Sequence, residues 1–533
     1  MSCADFRSAV LINALKDPRK KLTAWNGQKT DILCLHILSF AQKNSVMHGA
    51  IDMKKNEKGL SAWQLTMMAL GTVIGGSFFL GSSVAIHAAG PSILISYILG
   101  GMLVYFILFA LSEMTVANPD AGSFRTFAAQ AYGQGTGFFV GWVYWTGMIL
   151  AMSSEATAVS ILAREWIPNV SIPLLGSIII IIVTSLNLLG ADKLSKLESG
   201  LAAVKLLAIA SFIIIAILLI SGIFPGNRAI GIGVLATESL MPGGIIGIAG
   251  SMLIVMFSYA GFEIIGLASS EAENPKETVP KAINYTVLCL VGFYIFSVAV
   301  LLPLIPTADI NENMSPLVAA LNRRGIGWAG SAMNLVLVTA ILSTMLAAMF
   351  GLGRMMRSLA DEGLAPAWLK DEKDVPRRGI LFSGFSMLLG LGIGLLFPSV
   401  YLFLISSGGF AVLFTYIIIM ATHIRFRRQN GCPPDGKCQV RGFPYTSLLV
   451  LFALIAVVVS MPFVPGQASG LMAGIIMVVF YSLCYIAIRL FYLFHKPELS
   501  YKNGTKKNYS ENLSAEFSKE LTPDNKAKDP DKK

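Results

Sequence analysis

Charge is scarce in this sequence: only 14% of its 533 residues are Asp, Glu, Lys or Arg, where soluble domains carry about 25%. With 54% hydrophobic residues and a mean hydropathy of +0.66, that shortage excludes a soluble enzyme of this length. Cysteine is scarce as well. The six residues Cys3, Cys34, Cys289, Cys432, Cys438 and Cys484 are scattered and form no disulfide framework. The one close pair, Cys432 and Cys438 in GCPPDGKC, lacks the nearby His or second Cys pair that a four-ligand zinc site needs, so it reads as a tight turn and no metal is expected. The chain has no phosphate-binding loop, no nucleophile or cofactor motif and no sizeable soluble stretch, which excludes ATP-driven transport and catalysis. No span carries the repeated polar stripe or filter-like loop of a channel. No cleaved leader is expected, because the apolar stretch from Ile32 to Phe40 is too short and holds His36.

What the chain does have is apolar runs of about 20 residues, enough to cross a bilayer. Twelve are read, at 63–88, 92–117, 136–162, 172–190, 198–222, 245–268, 283–305, 328–353, 380–397, 400–424, 446–463 and 468–494. They predict an all-α integral membrane protein with the bilayer as its main partner. The net charge of +10 is then an orientation signal and no nucleic-acid signature. Loops on one side hold sixteen Lys and Arg, among them Arg125, Lys193, Arg354, Arg378, Arg425 and Arg441, whereas the opposite loops hold four, Arg164, Arg228, Arg323 and Arg324. The positive-inside rule therefore places both termini in the cytoplasm, with the protein multi-pass in the cytoplasmic membrane.

Two spans carry interruptions. Span 1 contains GTVIGGSFFLG (Gly71 to Gly81) and span 6 contains FSYAGFEIIG (Phe257 to Gly266). Glycine disfavours continuous helix, and unpaired backbone inside a membrane is tolerated only where it is buried in protein or lines a cavity. Gly75 and Gly261 lie 186 residues apart, so the two clusters open successive five-helix units, a pattern that marks inverted repeats with a substrate site between them. Close helix packing at small residues is the alternative.

The run GTVIGGSFFLGSSVAIHAAGPS, the stretch SEMTVANPDAGSFRTFAAQAYG and FSYAGFEIIGLASSEAENPKETVPKAI resemble the bacterial amino acid permeases of the amino acid, polyamine and organocation transporter superfamily. The likeness covers about residues 60–495. It implies the leucine-transporter fold, with ten core helices in a 5+5 inverted repeat, helices 1 and 6 broken, and two peripheral helices. It also implies proton-driven uptake of amino acids. The expected division is residues 1–58 as a cytoplasmic segment, 59–222 and 223–424 as the repeats, 425–494 as the peripheral pair and 495–533 as a disordered tail. Residues 1–52 show neither periodicity nor an apolar face, and MKKNEKGLSAWQLTMMALG from Met53 reads as an ordinary start. Residues 1–52 are expected to be either disordered or a misassigned start, with initiation at Met47 or Met53.

A zwitterion needs donors for its carboxylate and acceptors for its ammonium. The N–H groups of Gly75, Gly76 and Ser77 suit the carboxylate. Carbonyls near Val73 and Ile74, and in span 6 near Phe257, Ser258 and Ala260, suit the ammonium; the resemblance implies the same segments. Tyr259 and Phe262 flank the second interruption, Met148 and Met152 lie in span 3, and Ser406 and Ser407 in span 10, with ordinary packing the competing role for the aromatics and methionines. No intramembrane carboxylate is placed solely as counter-ion to a cationic side chain, which favours a neutral, apolar amino acid.

Lys205 lies about 12 Å into span 5, eight residues at 1.5 Å each, and an intramembrane lysine is a functional candidate, with snorkelling to the interface as the alternative. The resemblance puts its ammonium where sodium-coupled relatives hold sodium, between spans 1 and 8, with Ser343 and Thr344 as hydrogen-bond partners. Protonated Lys205 is expected to bridge spans 1, 5 and 8 and to loosen the inner gate on deprotonation. Glu263 either senses protons or holds the interrupted segment by accepting N–H bonds. Glu113 and Glu155, read as nearer span ends, are lesser candidates. The expected function is proton-coupled symport by alternating access, with no cofactor, nucleic acid or obligate protein partner. An exchanger of the same fold and a non-transporting sensor are the alternatives.

Overall fold

The computed structural model describes residues 60–117, 123–223, 229–267, 272–371, 375–432 and 438–494. The expectations for residues 1–58 and for the tail from residue 495 lie outside them. The first helix, α1 (Ala62–Val73), begins at a capping box in which Ser61 Oγ accepts the Gln64 N–H at 3.3 Å and Gln64 Oε1 accepts the Ser61 N–H at 2.9 Å. It stops before Ile74 and Gly75, and helical structure resumes as α2 (Gly76–Phe79) and α3 (Gly81–Ala89). There follow α4 (Ile93–Ala117), α5 (Ser123–Tyr132), α6 (Gln134–Ala163), α7 (Ile172–Asn187) and α8 (Ala191–Ser221). Helix α9 (Gly244–Ser258) ends in a turn-rich segment before α10 (Ile264–Leu267). The chain continues through α11 (Pro275–Leu301), α12 (Pro316–Arg323), α13 (Gly327–Asp361), α14 (Arg377–Gly394), α15 (Val400–Asn430), α16 (Tyr445–Ser460) and α17 (Ala468–Phe494).

Eight stretches among the described residues are long and apolar enough to cross a membrane, and two shorter apolar helices, α7 and α9, lie among them. That is fewer than the twelve runs read from the sequence, for physical reasons. The resumed part of span 1 runs on with span 2 as one 42-residue stretch, Gly76–Ala117. The 16 residues of α7 reach only about 24 Å, and α14 is diluted by its glycines and paired arginines.

The molecule is apolar outside, and its interior is an apolar core that also holds buried hydroxyls and a few charges. Leu288 (74% exposed), Phe296, Phe385, Leu449 and Phe452 face outward, which is stable only against lipid. Many interior hydroxyls are satisfied along their own helices, as on α6, where Ser153 donates to the Ile149 carbonyl at 2.9 Å and Ser160 to that of Ala156 at 2.7 Å. Helices α6 and α15 form the central pair. They approach so closely that a Cβ on Gly147 would stand 2.3 Å from the Ala411 Cβ.

Two ties lie at the ends of the bundle. Leu60 and Ala272 form an isolated parallel bridge, the Glu273 N–H donates to the Leu60 carbonyl at 3.2 Å, and Thr66 Oγ1 donates to the Ala282 carbonyl at 3.3 Å. Glu113, fully buried near the end of α4, accepts His423 Nε2 and Arg427 from α15, both at 2.7 Å, and the N–H groups of Gln439 and Val440 at 2.6 and 2.8 Å. Cys432 and Cys438, where the spacing suggests only a tight turn, are joined as a disulfide.

Candidate functional site

The backbone of the α1–α2 interruption is held open from several sides. Ile74 and Gly75 are extended, with φ −76° and −141°, so carbonyls before them and N–H groups after them lose their helical partners. Lys205, 1% exposed, reaches inward from α8, and its Nζ donates to the Gly71 carbonyl at 2.6 Å and to Thr344 Oγ1 at 2.7 Å. Thr344, on α13, donates to the Ile74 carbonyl at 3.1 Å. The ammonium thus links α1, α8 and α13, and it does not snorkel. Ser343 departs from the expected pattern: its buried Oγ has no hydrogen-bond partner among the described residues, so Thr344 alone is the acceptor from that pair.

The second interruption lies against the first. Ser258 Oγ donates to the Ser77 carbonyl at 2.9 Å, and Thr72 Oγ1 to the Gly261 carbonyl at 3.3 Å. Gly261 has φ +107°, and a Cβ there would stand 3.1 Å from the Thr72 carbonyl oxygen, so both the turn and the approach of the two backbones require glycine. Glu263, 1% exposed, accepts the Gly261 N–H at 3.0 Å, the Tyr144 hydroxyl at 2.7 Å and the Tyr416 hydroxyl at 3.3 Å. It clasps the turn to α6 and α15.

Glu155 is not near a span end in any functional sense. It is 3% exposed on α6, and its carboxylate accepts the N–H of Gly76 at 2.7 Å and of Ser77 at 3.2 Å. Those are two of the donors that the sequence reading gives to a substrate carboxylate. Around them, Tyr401 donates to the Gly76 carbonyl at 3.3 Å and Tyr294 to the Ser258 carbonyl at 3.0 Å. Tyr294 also stacks on Phe78 with centroids 3.9 Å apart.

Among the expected side-chain contacts, Tyr259 is packed away: its hydroxyl donates to the Tyr97 carbonyl at 3.1 Å and its ring meets Tyr97 and Tyr294. Phe262 is fully buried and stacks on Tyr416. Met152 is buried and Met148 half-buried. Ser407 donates to the Phe403 carbonyl at 2.7 Å, whereas Ser406 Oγ has no partner among the described residues. Val73, Ile74, Phe257 and Ser258 are buried, and Ala260 is partly exposed. Tyr144, Tyr294, Tyr401 and Tyr416 are absent from the sequence reading, in which Gly71 appears only as the start of the first glycine run. The available signal was a tyrosine hydroxyl in an apolar span, which must find an acceptor.

Comparison with known proteins agrees with this geometry at the level of the whole chain. Residues 64–501 match the family model described as amino acid permease. An uncharacterized amino acid permease of Bacillus subtilis, YvbW, is 35% identical over 413 residues, covering 76% of this chain and 92% of its own. A gamma-aminobutyric acid permease of Escherichia coli is 33% identical over 437 residues, covering 78% and 92%. The aromatic amino acid transport protein AroP of Escherichia coli K12 is 31% identical over 429 residues, covering 79% and 93%. A bundle with an apolar exterior, a family model matched over most of the chain and relatives named as permeases or transport proteins over nearly their full length make this chain a member of the amino acid permease family, a membrane transporter and not an enzyme.

Proposed function

We propose that the protein imports a neutral, apolar L-amino acid across the cytoplasmic membrane by alternating access, with protons as the coupling ion. The observation that carries this reading is the contact between the two helix interruptions, where Ser258 bonds to the Ser77 carbonyl and Thr72 to that of Gly261. Donors and acceptors for a zwitterion converge there without a charged side chain dedicated to the substrate. The carboxylate is assigned to the N–H groups of Gly76 and Ser77, and the ammonium to carbonyls near Val73, Ile74, Phe257, Ser258 and Ala260. The relatives named for gamma-aminobutyric acid and for aromatic amino acids move molecules that share only a carboxylate and an ammonium, which fits recognition at that common part. A neutral side chain is favoured because Glu155 and Glu263 are both already engaged by the protein.

In this reading the chain has twelve spans. Residues 59–222 and 223–424 form two inverted five-helix repeats opened by α1–α3 and α9–α10, 425–494 form a peripheral pair, and both termini are cytoplasmic. Protonated Lys205 holds α1, α8 and α13 together through Gly71 and Thr344, and release of its proton to the cytoplasm loosens the inner gate. Uptake into proteoliposomes, in competition with each of the twenty amino acids, tests the reading under an imposed pH gradient and then under a sodium gradient. Accumulation with the pH gradient alone is expected. Uptake that instead requires an amino acid inside the vesicles assigns exchange, and no uptake of any amino acid refutes the proposal.

A further inference from the structure

Glu155 has no role in the scheme above, yet it occupies the centre of the site. Both its oxygens are engaged by the N–H pair of Gly76 and Ser77, at 2.7 and 3.2 Å, and the side chain is closed off from solvent. A methyl group built on Gly76 would stand 2.6 Å from Glu155 Oε2, so the space over these donors is already filled. Two carboxylates cannot accept the same two hydrogens, and two negative charges at that separation cannot both persist in a low-dielectric interior.

We infer that Glu155 is a built-in competitor for the substrate's carboxylate: while ionised it fills the anion subsite, and an amino acid binds as Glu155 takes up a proton and yields the N–H pair. The inference rests on the reading of the two interruptions as the substrate site. The balance is simple. One zwitterion and one proton arrive together, Glu155 goes from carboxylate to carboxylic acid, no covalent bond to the substrate forms, and on release the proton leaves as the carboxylate returns to Gly76 and Ser77. The titratable groups whose charges act on Glu155 are Lys205 from α8, Tyr294 from α11 and Tyr401 from α15. The tyrosine hydroxyls are donors to backbone carbonyls and stay neutral. Lys205 keeps its two hydrogen bonds during this step and acts at the later opening of the inner gate. The ligand class follows: molecules with a free carboxylate, whatever the spacing of their ammonium, displace Glu155, whereas the matching amino alcohols and amides do not.

The test is equilibrium binding of tritiated L-leucine, L-phenylalanine and gamma-aminobutyrate to the full chain in detergent between pH 5 and 8. Wild-type affinity is expected to weaken as pH rises, approaching tenfold per unit where one proton is linked to binding, and Glu155→Gln is expected to vary less than twofold over the whole range. Wild-type protein in weakly buffered solution should also take up one proton per amino acid bound, read with a pH-sensitive dye; this needs no variant and stands even if Glu155→Gln does not fold. Leucinol and phenylalaninol should bind weakly and with no gain in acid. If wild type binds the amino acids but takes up no proton, or if a folded Glu155→Gln keeps the wild-type pH slope, the inference is overturned while the proposed function survives. If wild type binds none of the twenty amino acids when each is tested in the same way, both are overturned.

Discussion

Replacing Lys205 by Met keeps the length of the side chain and removes its charge and its three donors. The structure gives the ammonium two short hydrogen bonds, to the Gly71 carbonyl at 2.6 Å and to Thr344 Oγ1 at 2.7 Å. Charge-assisted bonds of this kind contribute about 1.5–3 kcal/mol each, so the gross loss is about 3–6 kcal/mol. Part of that returns because an ammonium no longer has to be held away from water. The net effect falls on the junction of α1, α8 and α13, where the Gly71 carbonyl is left without its donor. For transport the expectation is sharper. Each proton carried with an amino acid adds, for a gradient of two pH units, about 2.7 kcal/mol, or about 100-fold accumulation. In Lys205→Met proteoliposomes the accumulation ratio should fall by about 100-fold, to what the proton on Glu155 alone can drive. Lys205→Arg should fail similarly, because a guanidinium keeps its proton and cannot release it to the cytoplasm. A monodisperse Lys205→Met protein that retains full pH-driven accumulation would refute the role of this lysine in coupling.

Gly261→Ala should destabilise the protein by about 1–3 kcal/mol, the strain of a side chain at φ +107°, and lower the affinity for amino acid because the Thr72 backbone is pushed away; thermal melting and binding read the two effects. Glu113→Ala should cost about 3–5 kcal/mol, since it leaves the buried Arg427 and His423 unpaired. Arg125→Ala removes a buried side chain as well, but its partner Glu362 is 48% exposed and regains water, so it should cost less, about 1–3 kcal/mol; a larger melting shift than that of Glu113→Ala would contradict the burial argument. Thr344→Val, which removes one acceptor of Lys205 and the bond to the Ile74 carbonyl, should reduce pH-driven accumulation more than it reduces binding.

What could be read in advance divides by the range of the interaction. Interruptions of the helix were legible because their causes are local: Gly75 and Gly76 adjoin each other, and Gly261 lies within FSYAGFEIIG. Lys205 was legible from cost, since a charge eight residues into an apolar run must have a partner. The same arithmetic places Glu155 eight residues before the end of α6 at Ala163, about 12 Å deep, but its partner was hidden. Gly76 is 79 residues away, and only a backbone N–H marks it. The tyrosines escaped for the same reason. Tyr144 and Tyr416 converge on Glu263 from separations of 119 and 153 residues, and nothing in their neighbourhoods distinguishes them from aromatic packing residues. Ser343 shows the opposite failure: adjacent to Thr344 in sequence, it turns to a different azimuth of the helix, as any neighbour at 100° per residue must.

The tie between Leu60 and Ala272 has a kinematic consequence. It joins the approach to α1 with the strip of chain leaving α10, and Thr66 repeats the connection a turn later at Ala282. Helix α1 also packs along α11 and against α10. The half-helix before the first interruption is thus tied at its start to the helix that follows the second, so in the proposed site a rotation about Ile74–Gly75 is expected to be accompanied by one at Gly261, moving both backbone walls together.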